Sequence, residues 1–300
     1  MSNFLEFRVE DNREEHKIRE YLKEKCGLSG RFIKSASKEL RIYVNGKKIK
    51  SSCVLKIGDI IKIKIDKDET QNIDPEKMDL HIAYEDEYLL VVNKPPFMVV
   101  HPTKSHPNGT LSNGIMYHFK ETNQDCIVRL ANRLDMNTSG LVMIVKNQYA
   151  HMKISEFMNA NLIEKEYRAI VHGKFKDITN TINEPIGRPT MDSIERVVMV
   201  GGLESIPHYG VEEQFEEGAL LKVNLETGRT HQIRVHLSHI GHPIFGDTLY
   251  GNKDEEVINR HALHAYRLSF PHPVSGKRID VKCSIPEDMK NLCNRLSIKA

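Results

Sequence analysis

A polar stretch in the first third of the chain divides the sequence into a small and a large part. Residues 66–79 are mostly charged or amide side chains with Pro75 among them, and they offer almost nothing to bury. The 300 residues suffice for one substantial domain plus a small one. The sequence therefore predicts a small domain over 1–68, a linker over 69–79 and a large domain over 80–300.

The small part has the pattern of two helices followed by a small sheet. Apolar residues at helical spacing predict a helix over 14–26, and a second short helix follows Ser29. The dipeptide Asn45-Gly46 tolerates the positive φ angles of a tight turn and so predicts a β-hairpin. Alternating residues 60–65 complete an α/β unit as a further strand.

Positive charge is concentrated in this small part. Ten Lys and Arg residues lie between residues 31 and 64, against two acidic residues. Such an excess is the electrostatic footprint expected of a surface that binds a phosphate backbone, although a solvated charged face is the alternative. We interpret the second helix, with Arg31, Lys34 and Lys38, as part of an RNA-binding surface.

Several classes of protein do not fit the sequence. No apolar run approaches the roughly 20 residues that span a bilayer, and the N-terminus lacks the basic start and apolar core of a signal peptide. The five cysteines are scattered and never form a C-x-x-C pair, which argues against a disulfide framework or a zinc ribbon. We expect a cytoplasmic protein without membrane contact, and a monomer, because no heptad run is visible.

The large part mixes helices with many strands. Apolar runs predict strands at 89–92, 141–145, 167–171, 197–200 and 220–225, and a helix at 151–158. Thr230 is a candidate N-cap for a helix that ends at Gly241 and carries an apolar stripe. This order of elements predicts an α+β fold with a large, mainly antiparallel sheet.

Two segments carry residues suited to chemistry. The loop 132–140 lies between predicted strands and contains Arg133 and Asp135, which could be active-site groups or could simply pair and stabilise a turn. In the segment 228–236, Arg229 and Arg234 could bind a phosphate or a carboxylate. Arg234 lies beside the apolar stripe, so it would need a carboxylate partner, for which Asp135 is a candidate.

Other catalytic classes lack support. The four histidines between residues 231 and 242 are not spaced as a recognisable metal site, so a histidine metalloenzyme would require stoichiometric metal in the purified protein. The sequence contains no Walker-type loop, no G-x-G-x-x-G after a strand and no G-x-S-x-G elbow. Nucleotide-driven chemistry and serine hydrolysis are therefore not expected.

The large part resembles a known enzyme family, the RluA-type RNA pseudouridine synthases. The resemblance is carried by NRLD at 132–135 and GRTHQIRVH at 228–236, together with blocks in the family's order at 93–95, 99–102, 109–111, 136–141, 165–169, 241–244, 246–247, 250–251 and 263–265. An ordered set of this kind is far more specific than any single block. The small part resembles the S-four-type RNA-binding domain that often precedes this catalytic domain.

The resemblance implies an active site. Asp135 would be the catalytic carboxylate, which attacks the uridine at the sugar or at the base and frees the base to rejoin through carbon-5. This role needs an ionised carboxylate near neutral pH, which a cationic partner favours. Arg234 matches the family arginine that pairs with this aspartate. Tyr167 matches the tyrosine that packs on the displaced base and takes part in removing the carbon-5 proton.

The resemblance also implies an RNA partner and no metal or organic cofactor. Arg133 would help to displace the target nucleotide, which must leave its stack before a side chain can reach it. The other predicted RNA-binding residues are Leu134, Arg229, His231 and Gln232 near this site, and Arg31, Lys34 and Lys38 in the small domain. Large-subunit ribosomal RNA is the expected substrate, with transfer RNA as the alternative.

Three departures from the family pattern leave room for another hypothesis. Asn132 replaces the usual His, Phe97 replaces a common Gly, and Pro207 removes a backbone donor from a stretch that usually carries a small residue and Thr. The alternative is a non-catalytic RNA-binding or ribosome-assembly factor on the same fold, whose function would survive Asp135→Ala.

Overall fold

Two sheets, one small and one large, organise the chain in the computed structural model. The structure describes residues 4–11, 17–28, 30–49, 53–64, 71–251 and 257–298. Among these residues, no helix has the length and apolar character needed to cross a bilayer.

The small sheet lies in the N-terminal part, with two helices packed against it. Its elements are β1 (Phe4–Arg8), α1 (Ile18–Glu24), α2 (Gly30–Lys38), β2 (Ile42–Val44), β3 (Lys47–Lys48) and β4 (Ile60–Lys64). The strand order is β1-β4-β2-β3, and every pair is antiparallel. Ile33 on α2 and Ile61 and Ile63 on β4 are fully buried in the core between the layers. Both predicted helices and the hairpin are present, although residues 14–16 of the first predicted helix lie outside the described residues.

The segment 71–79 has neither helix nor strand, but it is fixed to the large part. Ile73 is only 7% exposed and joins an apolar cluster of the large part. The side chain of Gln71 pairs with both backbone groups of Val128. The expectation that this stretch has almost nothing to bury is therefore wrong at Ile73, because one apolar residue in a polar segment is enough to dock the backbone.

The large sheet has ten strands and is antiparallel except at one pair. Along the sheet the order is β10-β13-β14-β9-β15-β8-β6-β5, with β16 beside β15 and β7 beside β8. The strands are β5 (Ile82–Glu85), β6 (Leu89–Lys94), β7 (Arg129–Leu130), β8 (Ser139–Val145), β9 (Glu164–His172), β10 (Thr179–Thr181), β13 (Pro207–Gln214), β14 (Gly218–Leu225), β15 (Leu263–Pro271) and β16 (Arg278–Lys282), while β11 (Ile186–Gly187) and β12 (Val197–Val198) form a separate hairpin. Among the described strands, only β8 and β15 run parallel. The predicted α+β class with a mainly antiparallel sheet is confirmed.

Four helices cover this sheet: α3 (Leu111–Glu121), α4 (Gln148–Asn159), α5 (Gln232–His239) and α6 (Glu287–Ile298). The apolar stripe of α5 is buried as predicted, with Ile233 and Leu237 in the core. Thr230 as its N-cap is wrong. The cap position is taken by His231, whose left-handed backbone (φ 59°) turns the chain into the helix one residue later.

The N-terminal part packs against α4 of the large part. Tyr149 on α4 lies in the same apolar cluster as the core of the small sheet, and its ring meets that of Phe32 edge-on with centroids 6.1 Å apart. The Lys153 ammonium donates to the carbonyl of Gly27 over 3.0 Å. These contacts fix α2 close to the large sheet.

Candidate active site

Asp135 lies in the short loop that joins β7 to β8. The loop closes with a hydrogen bond from the Thr138 N–H to the Asp135 carbonyl over 3.1 Å. The Asp135 side chain remains 30% exposed. The carboxylate is therefore accessible, while its backbone is held between two strands of the central sheet.

Two buried basic side chains hold the backbone on the far side of Asp135. Lys94 is fully buried, which lowers its pKa to about 7, and its amino group donates to the carbonyl of Met136 over 3.0 Å as well as to two carbonyls of its own loop. Arg260, also buried, donates to the carbonyl of Asn137 over 3.2 Å. A basic group buried this deeply needs such acceptors, so the loop and the two side chains fix one another.

Two buried histidines contact the end of this loop, where β8 begins. The Thr138 hydroxyl lies 2.7 Å from Nε2 of His261, and the Ser139 hydroxyl lies 2.9 Å from Nδ1 of His264. Burial lowers the pKa of His261 to about 3 and that of His264 to about 4, so both rings are neutral at pH 7.

Gly140 allows the parallel pair of β8 and β15 to approach closely beside this loop. Its φ is +114°, a value that side-chain-bearing residues rarely adopt, and a Cβ there would lie 2.3 Å from the carbonyl oxygen of Ala265. Only glycine fits, because the obstacle is backbone and cannot move aside.

Arg234 on α5 joins Asp135 to a second carboxylate. Its Nη1 lies 3.0 Å from Oδ2 of Asp135, which was the candidate partner from the sequence and the pairing that the resemblance implies. Its Nε and Nη2 form a bidentate pair with Asp247 at 2.7 and 2.8 Å. Burial alone would raise the pKa of Asp247, but the hydrogen bonds from Arg234 outweigh it and lower that pKa below its usual value. Asp247 is thus ionised and aims the guanidinium at Asp135.

His231 approaches the same carboxylate from the start of α5. Its Nε2 lies 3.7 Å from Oδ2 of Asp135, and its Nδ1 lies 2.8 Å from the hydroxyl of Tyr250. Burial lowers the pKa of His231. Arg234 is therefore the cation that faces Asp135 at neutral pH, and His231 faces it as a neutral ring.

Tyr167 on β9 faces the carboxylate from the central sheet. It is 8% exposed, and burial together with the charge of Asp135 raises the pKa of its hydroxyl well above the usual range. The phenol is therefore protonated at every physiological pH.

These side chains enclose a small pocket of about 60 Å³. The predicted site residues that line it are Arg133, Leu134, Asp135, Tyr167, Arg229, His231, Gln232 and Arg234. Pockets for drug-sized ligands hold about 300–1,000 Å³, so this one is small by comparison. A wider cavity of about 470 Å³ shares Arg229 with the pocket and is also lined by Arg188 and Arg196.

The predicted RNA-binding residues of the pocket differ in how they are held. Arg133 is exposed, so it can reach a ligand. Gln232 is 2% exposed, and its side-chain oxygen accepts hydrogen bonds from the Arg229 N–H and the Thr227 hydroxyl. Gln232 thus fixes the backbone that carries Arg229, whose own Nε donates to the carbonyl of Glu204.

The basic residues predicted in the small part lie outside this pocket. Lys34 and Lys38 are exposed one helical turn apart on α2, while the side chain of Arg31 lies outside what the structure describes. Arg41, counted in the basic excess of the sequence, is 6% exposed and pairs with Glu39. It therefore stabilises the small part and adds little to the exposed charge.

The sequence did not assign roles to Asp247, Tyr250 or Lys94. Asp247 and Tyr250 stood only within short blocks of the resemblance. A guanidinium has more N–H donors than one carboxylate can satisfy. The burial expected for Arg234 therefore indicated that a second carboxylate would contact it. The sequence offered no means of choosing which one.

The three departures are accommodated locally. The Asn132 amide accepts from the Met143 N–H and donates to the Leu141 carbonyl, so it extends the edge of β8. Phe97 has a left-handed φ of 62° and is 52% exposed. Pro207 is the first residue of β13, a position where a strand tolerates a missing N–H.

Known proteins with similar sequences point to one activity. The family described as RNA pseudouridylate synthase matches residues 88–239. YjbO of Bacillus subtilis (strain 168), described as an uncharacterized RNA pseudouridine synthase, is 38% identical over 92% of this chain and 97% of its own. Ribosomal large subunit pseudouridine synthase D of Yersinia pestis is 35% identical over 88% of this chain and 85% of its own.

A solved structure shares the fold. Human RNA Pseudouridylate Synthase Domain Containing 1 superposes with a TM-score of 0.57 at 26% identity, over 72% of this chain and 86% of that one. The family match covers half of the chain, and the two relatives each align over more than four fifths of it. The chain belongs to the RNA pseudouridylate synthase family and is an RNA pseudouridine synthase, an isomerase that acts on RNA.

Proposed function

We propose that the enzyme converts uridine to pseudouridine in large-subunit ribosomal RNA, with Asp135 as its catalytic carboxylate. One observation carries the assignment of Asp135. It is a partly exposed carboxylate, paired with the buried Arg234, in a small pocket that Tyr167 also lines.

The reaction breaks one bond of the uridine and forms another, and the arrangement of Asp135 and Arg234 supplies the nucleophile for it. The bond between N1 of uracil and C1′ of ribose breaks, the base turns, and a bond from C5 to C1′ forms. The C5 proton leaves to a base and N1 takes up a proton, so substrate and product contain the same atoms. Asp135 provides the nucleophile, at the sugar or at the base, and Arg234 donates a hydrogen bond to its carboxylate.

The other pocket residues act on the displaced base. Tyr167 presents a buried, protonated phenol against which a uracil ring can pack. Exposed Arg133 occupies the space that the nucleotide leaves in its stack. Arg229, shared between the pocket and the wider cavity, binds the adjoining backbone phosphate, with Leu134, His231 and Gln232 completing the enclosure.

The small part, residues 1–68, serves as an RNA-binding domain in this proposal, joined through 69–79 to a catalytic domain over 80–300. Exposed Lys34 and Lys38 on α2 support this division, because they offer two charges one turn apart. Arg31 is proposed for the same surface from the sequence alone. Since the relatives include ribosomal large subunit pseudouridine synthases, we propose ribosomal RNA before transfer RNA, and hence a cytoplasmic enzyme.

The test compares wild type with Asp135→Asn on unmodified large-subunit ribosomal RNA and on transfer RNA. We expect pseudouridine at defined uridines of the ribosomal RNA with wild type and none with the variant. Asp125→Asn, an exposed carboxylate before the same loop, is the matched control and should be fully active. Modification by Asp135→Asn would refute the catalytic assignment, and modification of transfer RNA alone would refute the substrate.

A further inference from the structure

His231 is held in a backbone conformation that its residue type seldom adopts. Its φ and ψ are 59° and 17°, and its side chain is 13% exposed. A residue other than glycine in the left-handed region is strained and is retained where the surrounding structure requires it. Here the conformation turns the imidazole towards Asp135 and makes α5 begin at Gln232.

A chain of hydrogen bonds determines which ring nitrogen of His231 carries the proton. The backbone N–H of Arg196 can only donate, and it donates to the hydroxyl oxygen of Tyr250 over 2.8 Å. A Tyr250 hydroxyl proton directed at Nδ1 of His231, 2.8 Å away, continues this chain, and no described residue accepts that proton in another hydrogen bond. Nδ1 therefore accepts, and the neutral ring carries its proton on Nε2.

The protonated nitrogen faces one particular oxygen of Asp135. Nε2 of His231 is 3.7 Å from Oδ2, and Nη1 of Arg234 is 3.0 Å from the same atom. No described residue forms a hydrogen bond to Oδ1. The two carboxylate oxygens are thus distinguished by the protein, although they are chemically equivalent in water.

We propose that His231 is a positioning residue for Asp135: the Nε2–H tautomer imposed by Tyr250 holds Oδ2 together with Arg234, and leaves Oδ1 to attack the uridine. The distance of 3.7 Å exceeds that of a hydrogen bond, so this role requires the contact to shorten when RNA fills the pocket, as catalytic contacts often do in substrate complexes. The inference rests on the proposed role of Asp135. It replaces direct RNA binding as the function of His231.

The first test uses three variants under single-turnover conditions on a substrate RNA that wild type modifies. His231→Ala removes the donor and should lower the rate of the chemical step by about 10–100-fold, with little change in RNA affinity. His231→Gln restores an N–H of similar reach and should recover most of this loss. Tyr250→Phe removes the tautomer control and should fall between the two. Thermal unfolding of each variant verifies that it is folded.

The second test reads the tautomer directly, by nitrogen-15 NMR of histidine-labelled enzyme. We expect His231 to carry its proton on Nε2 in wild type and a mixture of tautomers in Tyr250→Phe. A proton on Nδ1 in wild type would overturn the proposal. So would a His231→Ala enzyme with normal chemical rate and weakened RNA binding, because His231 would then be an RNA contact.

The two proposals fail in different ways. If Asp135→Asn remains active, the catalytic assignment fails, whatever the tautomer of His231. If Asp135→Asn is inactive while His231→Ala and His231→Gln both match wild type, Asp135 stands and the positioning role of His231 is refuted.

Discussion

At the scale of single residues, the site depends on a guanidinium shared between two unlike carboxylates. Asp247 is fully buried and takes two donors of Arg234, whereas Asp135 is 30% exposed and takes one. The planar fork of arginine allows both contacts at once, and the compact ammonium of lysine would not. The buried pair therefore orients the cation, and the exposed carboxylate remains available for a substrate.

Phe97 offers a test of backbone strain in the loop that Lys94 holds. A bulky side chain at φ 62° is strained, and 52% of this residue is exposed, so its ring contributes little packing. We expect Phe97→Gly to raise the free energy of unfolding by about 0.5–1 kcal/mol, since relief of strain outweighs the added freedom of the unfolded chain. Urea denaturation measures this change.

Phe97→Ala is the matched control for that substitution. It removes the same ring but keeps a Cβ, so the strained conformation persists and no stabilisation should follow. Equal stability of the Gly and Ala variants would contradict the strain argument. In that case, the aromatic ring itself would account for the choice of residue.

At the scale of elements, local patterns gave the strands and helices, but not the contacts between distant segments. The runs at 141–145 and 167–171 are strands because buried β-branched and apolar residues specify them locally. Thr230 was the wrong N-cap for α5, because the left-handed turn at His231 moves the start of the helix by one residue and the local sequence does not mark that turn. The sequence suggested Asp135 for Arg234 but could not place Asp247 beside it.

The C-terminal helix α6 is joined to the loop that carries Asp135 through one buried arginine. Arg260 forms a bidentate pair with Asp288 in the first turn of α6, at 2.6 and 2.9 Å, and also donates to the carbonyl of Asn137. We expect Asp288→Ala to lower the free energy of unfolding by about 3 kcal/mol, because it leaves the fully buried Arg260 without its carboxylate. Chemical denaturation reports the loss, and reduced RNA modification should accompany it.

Glu287→Ala is the control for Asp288→Ala. Glu287 is the neighbouring acid on α6, its side chain is 75% exposed, and its pair with Lys290 spans 3.4 Å. Its loss should change stability by no more than about 0.5 kcal/mol. If the two variants were equally stable, the pair of Arg260 with Asp288 would not contribute to the stability of the fold.

At the scale of the whole molecule, the buried histidines behind the loop make folding sensitive to acid. His264 is 1% exposed, and burial lowers its pKa from 6.5 to about 4. Between pH 6.5 and pH 4 this histidine binds a proton in the unfolded chain but not in the folded protein. Its contribution to the free energy of unfolding is therefore complete above pH 6.5 and is lost as the pH falls towards 4. The loss from this one residue should reach about 3 kcal/mol at pH 4.

Urea denaturation at pH 7 and pH 4.5 tests this dependence. From pH 7 to pH 4.5, the free energy of unfolding should fall by about 2–3 kcal/mol less for His264→Gln than for wild type, because glutamine does not titrate. His106→Gln, at an exposed position, should behave as wild type does. The same drop in all three proteins would assign acid unfolding to other groups.

The salt dependence of RNA binding tests whether the small part adds phosphate contacts to those of the large part. Lys34 and Lys38 are exposed on α2, and α2 is fixed near α4 by the contact of Phe32 with Tyr149. If both lysines neutralise phosphates, Lys34→Ala with Lys38→Ala should reduce the slope of log affinity against log salt by about 1.4–1.8, because each contact contributes about 0.7–0.9. The slope is measured by titration with a large-subunit ribosomal RNA fragment.

The control for this pair removes the same charge elsewhere in the small part. Lys23 and Lys25, exposed around the end of α1, should change the slope little when both become Ala, if α2 is the RNA-binding face. The chemical rate on a short RNA that reaches only the pocket should be unaffected by either double variant, since Asp135 and Arg234 are untouched. Equal loss of slope in both variants would mean that the small part attracts RNA by its overall charge, and the specific role of α2 would be lost.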